Sequence, residues 1–490
     1  MAQKKAKIPI SKKIEENEEL LKKRLGIGET FDVGVRKLLL LKTKVQLYYC
    51  NGLCDTTYII QIMREFMLMN NQHKSPHSVK EVIHNHITHE QVELTDNMDE
   101  AVDRLLSGLI LIFVDGEDEV FIVDVRSYPG RNPEEPDTEK VVRGSRDGYT
   151  ENIIINTALT RRRLRDERLR NEIVQVGERS KTDICISYLK DVADPGLIKL
   201  IKKEISTISI DGIPMADKTI EEYLVKQGFN PFPMARYTER PDVAVQHLLE
   251  GHVLVMVDTS PSVLITPTTY FHHVQHAEEF RQTPLTGAFE RWFRFIGILA
   301  AIMLVPLWYL YVQDPHLLPK GLEFIGPNKH GHLPIFLQLL LAEVGIHLLR
   351  LAAIHTPNAL ATSMGLVAAV LIGQIAISVG VFVPEVILYS SVSAIGTFVT
   401  PSVELGLAND LFRILLLLLV AIFHVPGYVI GLTLFIIFIA NMKNLNTPYL
   451  WPFMPFNAKA LLTIIMRVAV PMTKMRPSIL HPQNPKRTSN

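Results

Sequence analysis

Cysteine is scarce in this sequence, and charge is scarce in its last two-fifths. Three cysteines in 490 residues, Cys50, Cys54 and Cys185, give no disulfide framework, which fits a reducing compartment. Residues 291–490 carry 6 acidic and 13 basic side chains, against 45 and 38 before them (51 − 6 and 51 − 13). No acidic residue follows Met442, whereas seven basic ones do. Catalytic signatures are missing too. There is no G-x-x-x-x-G-K-[ST], no G-x-S-x-G, no H-E-x-x-H and no dinucleotide-type glycine loop, so no catalytic residue and no cofactor is expected, and the chain does not read as an enzyme. Cys50 and Cys54, with His73, His77, His84, His86 and His89 downstream, lack a second pair at finger spacing, so no metal site is expected. His272, His273 and His276 in FHHVQHAEEF read as part of a linker helix. The opening residues, MAQKKAKIPISKKIEENEELLKKR, have no apolar core of the kind a cleavable signal needs, so the charged part of the chain is expected in the cytoplasm.

What is present divides along the same line. The stretch 293–312 (FRFIGILAAIMLVPLWYLYV) is long enough for one membrane crossing, with Arg291 and Arg294 at its start and Trp308, Tyr309 and Tyr311 near its end. Further apolar segments cover 333–354, 359–383 and 386–407. A fifth tract, 411–440, would make about 45 Å of helix, too long for one untilted span, so a hairpin or break is expected at Pro426–Gly427. The basic tail belongs with the charged region on the cytoplasmic side, which requires an even number of crossings. Four spans with a re-entrant hairpin satisfy this, and so do six.

Three patterns lie inside the apolar region. Ala361, Gly365, Ala369 and Gly373 recur every four residues, a spacing that lets helix backbones approach closely. Ser390, Ser393, Thr397, Thr400 and Glu404 fall on one helical face, which suits either a pore lining or buried packing with the hydroxyls bonded to their own helix. Pro401 should kink that helix before Glu404. Glu343, His347 and Arg350 share a face at i, i+4 and i+7, and ionisable residues at membrane depth usually meet partners or water. The same segment also suits an amphipathic helix lying in the interface.

The charged region repeats itself. Leu105, Leu106, Gly108, Leu111, Val114 and Asp115 match Leu248, Leu249, Gly251, Leu254, Val257 and Asp258, each 143 residues on. Tyr49, Asp55, Ile59, Ile62 and Glu65 match Tyr188, Asp194, Ile198, Ile201 and Glu204, each 139 on. Between the copies, residues 126–166 hold Arg126, Arg131, Arg143, Arg146, Arg161, Arg162, Arg163 and Arg165. With Lys140 that is nine positive charges against seven negative, a net of 9 − 7 = +2. A mixed-sign network of this kind suits a subunit interface or a coupling element rather than nucleic acid.

The expected fold is α+β/α: a large soluble N-terminal region of two repeated α/β subdomains, then an α-helical multi-pass membrane domain. The expected boundaries are a charged extension (1–29), a first subdomain (30–150), an Arg-rich connecting helix (151–174), a second subdomain and linker (175–285), a membrane domain (286–441) and a basic tail (442–490). The stretch SYPGRNPEEPDTEKVVRGSRDGYTENIIINTALTRRR resembles the hallmark of the A-subunit family of bacterial spore germinant receptors. That resemblance implies a germination role in the spore inner membrane, as a subunit of an oligomeric ion channel. It implies a homo-oligomer, other germination membrane proteins and membrane lipid as partners. A non-conducting scaffold or accessory subunit, serving germination receptors or the calcium-dipicolinate release machinery, is the alternative. A transporter is a further one.

Overall fold

The structure, a computed structural model, describes residues 8–72, 79–80, 83, 87, 92–127, 139, 141–328, 331–355 and 374–487. It forms two compact units: Met1–Gly228 with Ala235–Pro267 and Val470–Asn490, and Phe229–Met234 with Thr268–Ala469.

The first unit holds two five-stranded antiparallel sheets. Strands β1 (Val33–Leu40) and β2 (Thr43–Cys50) form a hairpin through Leu41 and Lys42, both at positive φ (49° and 72°), the backbone a two-residue hairpin loop needs. The Asn70 side chain accepts from the Leu41 NH (2.6 Å) and donates to the Leu39 carbonyl (2.9 Å), tying helix α2 (Thr56–Gln72) to this turn. Strands β3 (Val92–Thr95), β4 (Ile110–Val114) and β5 (Val120–Val123) complete the order β1-β2-β4-β5-β3. β4 and β5 are apolar throughout because both faces of the sheet are covered. Helices α1 (Ile14–Leu25) and α3 (Met98–Leu106) bury Ile14, Leu21, Val102 and Leu105 against Tyr48, Leu111 and Phe113. On the other face α2 buries Ile59, Ile62 and Phe66.

The second sheet has the order β6-β7-β9-β10-β8, from β6 (Leu169–Val176), β7 (Thr182–Leu189), β8 (Arg236–Thr238), β9 (Val253–Val257) and β10 (Val263–Thr266). Helices α4 (Ile153–Arg163) and α7 (Pro241–Glu250) cover one face through Ile153, Leu159 and Leu248. The remaining helices are α5 (Pro195–Ser206), started by the Asp194 side chain accepting from the Gly196 NH (2.9 Å), and α6 (Ala216–Val225). The matched residues hold matched positions. The Asp115 carboxylate accepts from the Ile14 NH at the start of α1, and the Asp258 carboxylate accepts from the Ile153 NH at the start of α4, each at 3.2 Å. Gly108 and Gly251 follow α3 and α7 at φ 95° and 112°, and at Gly108 a Cβ would meet the Leu53 carbonyl at 2.7 Å.

Three expectations change here. Residues 14–25 are not part of an extension, because they form α1, which belongs to the first core. Residues 151–174 are not a connector, because α4 covers the second sheet and Leu169 already begins β6. Every pairing in both sheets is antiparallel, so these lobes are α+β in the strict sense rather than α/β. The tail also divides. From Val470 it packs on the second lobe, where Gln483 donates from its NH to the Val192 carbonyl (3.0 Å) and from Nε2 to that of Ala193 (2.7 Å). Arg476 Nε donates to the Leu249 carbonyl (2.6 Å), Arg487 pairs with Glu250, and Ile479 and Leu480 are buried.

The second unit is mainly helical: α8 (Pro284–Gln313), α9 (Ile335–His355), α10 (Pro384–Phe398), α11 (Val403–Asn441) and α12 (Ala458–Ile465). Among the described residues three stretches are long and apolar enough to cross a membrane: α8, Ile335–Ala352 of α9, and α11. α10 runs antiparallel to α8, with Gly396 against Gly297 at one end and Tyr389 stacked on Trp308 (4.8 Å between ring centres) towards the other. α11 breaks at His424 (φ 54°, ψ −131°), two residues before Pro426. A straight helix would separate Phe412 from Phe435 by about 35 Å, yet their rings stack 3.7 Å apart, so the chain doubles back. A Cβ at Gly427 would collide with the Leu419 carbonyl, which is why the return begins on glycine. The histidine-rich stretch forms two 3-10 turns, Tyr270–His273 and Ala277–Phe280, where a linker helix was expected.

Candidate functional site

Charge inside the helical unit is concentrated at one place. Asp410 and Arg413, at i and i+3 on α11, face the interior, and both are almost fully buried (3% and 1% exposed). Arg413 Nη2 donates to Glu343 Oε2 of α9 at 2.6 Å. Its Nη1 donates to the Ala301 carbonyl of α8 (2.7 Å) and to Ser393 Oγ of α10 (3.0 Å), and lies 2.8 Å from Asp410 Oδ1. Thr397 Oγ1 donates to the same Asp410 oxygen at 2.7 Å. On the other side of Asp410, Oδ2 faces Arg350 (3.7 Å) and His347 (3.9 Å). Two guanidinium groups thus meet two carboxylates across four helices, and the charges cancel if His347 is neutral. Buried ion pairs of this kind persist only when paired closely and hydrogen-bonded. Glu343 Oε1, Arg413 Nε and Ser390 Oγ find no partner among the described residues, so the cluster retains capacity for water or an ion.

This arrangement brings together two patterns that looked separate in the sequence. The face of Glu343, His347 and Arg350 meets the stripe of Ser393 and Thr397, and the link is Asp410 and Arg413, which sequence reasoning missed. The pore-lining expectation for Ser390, Ser393, Thr397 and Thr400 is revised. All four are buried inside one chain, with Ser393 donating to Ala301 (3.0 Å) and Thr400 to Gly396 (3.2 Å). A lumen between copies is therefore not where this face points. Glu404 is separated from the stripe altogether: α10 ends at Phe398, and Ser402 starts α11 by accepting from the Leu405 NH (3.2 Å). Ala361, Gly365, Ala369 and Gly373 lie outside the described residues, as do Arg131 and His73, His77, His84, His86 and His89.

A second buried ionic group sits at the start of α8. Glu279 pairs with Arg294 and with Arg291 (2.7 Å), and Arg291 Nη1 also donates to the carbonyls of Thr463 (3.1 Å) and Ile464 (2.7 Å).

The arginine-rich stretch divides by burial. Arg161 is 1% exposed, so the interface expectation is corrected for it. Its Nε donates to Asp32 Oδ2 (2.9 Å), and its other nitrogens donate to the carbonyls of Asp166 (2.9 Å) and Leu169 (3.2 Å). Asn171 Nδ2 donates to the same Asp32 oxygen at 2.9 Å, so this pair joins the first lobe to the second. Arg163 is held by Asp147 and Ser145. Arg165 reaches Ser107 (3.3 Å), and Arg126 pairs with Asp124. Arg126, Arg143, Arg146, Arg162, Arg163 and Arg165 are exposed.

The fold defines a protein with two antiparallel-sheet lobes and an apolar helical part. The chain belongs to the family described as Bacillus/Clostridium GerA spore germination protein, which its residues 19–479 match. It is 59% identical over 481 residues to stage V sporulation protein AF of Bacillus subtilis (strain 168), covering 98% of both chains. The stretches beginning PFPMARYTERPDV at Pro231 and NTPYLWPFMPF at Asn446 resemble that same relative. Spore germination protein XA of Bacillus anthracis is 29% identical over 446 residues, with 90% of each chain covered. Among solved structures, the N-terminal domain of the A subunit of the Bacillus megaterium spore germinant receptor GerK3 is 26% identical, with a TM-score of 0.42; the match covers 54% of this chain and 99% of that one.

Proposed function

We propose that this chain is a multi-pass membrane subunit of the spore germination apparatus, and that several copies assemble, with other germination membrane proteins, into an ion channel. The Arg413 cluster is the observation that carries the reading. Four charges at membrane depth are costly, and such groups commonly mark ion pathways or switches. Here they join α8, α9, α10 and α11, and the free lone pair on Glu343 lets an entering ion or water compete with Arg413. The pair is the latch of the closed state, and its separation frees α9 from α11.

The membrane proposed is the spore inner membrane. The chain leaves the first unit after Pro267 and rejoins it at Val470, which supports an even number of crossings with both ends on the cytoplasmic side. Six is the number proposed. α8, α9, α10 and the two halves of α11 make five traverses. The sixth is proposed for the apolar segment 359–383, most of which lies outside the described residues. The exposed arginines Arg126, Arg143, Arg146, Arg162, Arg163 and Arg165 remain candidates for a contact between subunits, and the matched lobes are proposed to be a duplicated unit.

The test is conductance of the purified full chain in a planar bilayer, with particle size measured in parallel. Discrete currents from an oligomer, altered by Glu343→Gln at unchanged size, are expected. Silence from an oligomer of stable size overturns the channel. A non-conducting scaffold is the second reading, favoured by one observation: the only Ser/Thr stripe among the described residues of α10 is fully enclosed within one chain.

A further inference from the structure

One end of the helical unit carries an apolar surface that differs from the long helices. Residues 451–467 expose Phe456 (70%), Leu462 (60%) and Met454 (54%), with Phe453 (47%) and Ile465 (39%) somewhat less open. This stretch is held against the start of α8. Trp292 Nε1 donates to the Ile465 carbonyl (3.0 Å), Arg291 reaches Ile464, and Arg467 donates to the carbonyls of Gln282 and Phe280 (2.8 Å for the second). α12 turns Ile464 inward and Leu462 outward. The first turns of α8 continue the surface with Leu285, Phe289 and Phe293, all more than half exposed. At eight residues α12 spans about 12 Å, too short to cross a bilayer. Lys459, in the first turn of α12, and Lys443 are exposed, and no acidic residue follows Met442.

We propose that residues 451–467 form an interfacial anchor, lying in the headgroup–acyl boundary of the membrane that α8 and α11 cross, with Lys443 and Lys459 directed at anionic headgroups. The inference rests on the membrane reading above and adds the segment and the lipid class. Two features select lipid as the occupant. The surface is continuous with the apolar face of α8, so the bilayer that covers one reaches the other. Within residues 451–467 the charge is of one sign, Lys459 and Arg467, which complements anionic lipid and repels its own copy. Aromatic and aliphatic side chains with flanking lysines are the composition of helices that lie in the interface.

The experiment uses the full chain in nanodiscs of phosphatidylcholine with and without phosphatidylglycerol. Single cysteines replace Phe456, Leu462, Leu299 and Val142 in turn and carry a nitroxide; the native Cys50, Cys54 and Cys185 are buried. Collision with oxygen and with a water-soluble nickel chelate reports depth. Leu299 is expected deep in the acyl region, Val142 in water, and Phe456 and Leu462 at the boundary. If Leu299 reads as water, the membrane reading itself fails. If Leu299 is deep and Leu462 is in water, only the anchor is overturned. Leu462 shielded from both reagents means that a second copy covers it, which also overturns the anchor. In a separate arm, Lys443→Glu and Lys459→Glu are each expected to lower co-purified phosphatidylglycerol by about fivefold. Unchanged lipid in both variants refutes the anionic preference.

Discussion

Glu343→Ala is the sharpest probe of the Arg413 cluster. The substitution removes the 2.6 Å partner of Arg413 Nη2 and leaves a guanidinium that is 1% exposed. Breaking a buried pair from one side costs about 3–5 kcal/mol, because the remaining charge stays desolvated. Asp410 still faces Nη1 at 2.8 Å, so the lower end, about 3 kcal/mol, is expected here. Removing both partners is a different matter. With Glu343→Leu and Arg413→Met together, Asp410 keeps Arg350 as its counter-charge, and replacing a buried pair by apolar groups is often neutral. The double variant should therefore be more stable than Glu343→Ala alone, with a coupling of at least about 2 kcal/mol across the cycle. Unfolding of the full chain by denaturing detergent in bicelles measures this. Trp308, buried against Tyr389 in the same bundle, serves as reporter. Single variants that cost under about 1 kcal/mol, with no coupling, would refute the reasoning: such values belong to exposed pairs, so water would already be reaching Arg413.

Other outcomes follow from the soluble unit. Arg161→Ala should cost about 3–5 kcal/mol, since it strands Asp32 in the junction of the two lobes, whereas Arg143→Glu and Arg146→Glu should each stay within about 1 kcal/mol; thermal melts of the full chain separate them. His252 is buried beside His247, and burial lowers its pKa from 6.5 to about 4. The folded state therefore binds this proton less readily than the unfolded chain. Stability contributed by neutral His252 is complete above pH 6.5 and is lost as pH falls towards 4, by about 2 kcal/mol between pH 7 and pH 5. A melt of the soluble unit that is flat over that range, or a His252→Asn variant with the same slope as the parent, would contradict this. Glu19→Cys and Pro485→Cys should be equally protected from an impermeant thiol reagent outside intact cells; unequal labelling would exclude an even number of crossings.

How much of this was legible in the sequence depends on the range of each interaction. Apolar tracts, the two matched lobes and the break near Pro426 follow from local pattern, and the break at His424 lies two residues from the proline. The cluster did not follow. Glu343, His347 and Arg350 announce a polar face, but their partners lie sixty or more residues away on α11, and no spacing rule links them. The available signal was Asp410 and Arg413 themselves, an i, i+3 charge pair at the edge of a tract otherwise without charge. Arg161 was equally hard to separate from Arg162 and Arg163, since adjacent arginines look alike until the helix is laid down. Its spacing to Thr157 and Leu164, both buried, marks the inward face.

The position of the tail affects how the protein is made. Residues 470–487 complete the surface of the second lobe at Val192, Ala193 and Leu249, yet they are synthesised some two hundred residues after that lobe. The lobe must wait on the ribosome, part of its surface open, until the whole helical unit has emerged. Completion of the second lobe thereby waits on synthesis of the whole helical unit. A chain that stops at position 469 keeps the described apolar helices and leaves the carbonyls of Val192, Ala193 and Leu249 without their partners in the tail.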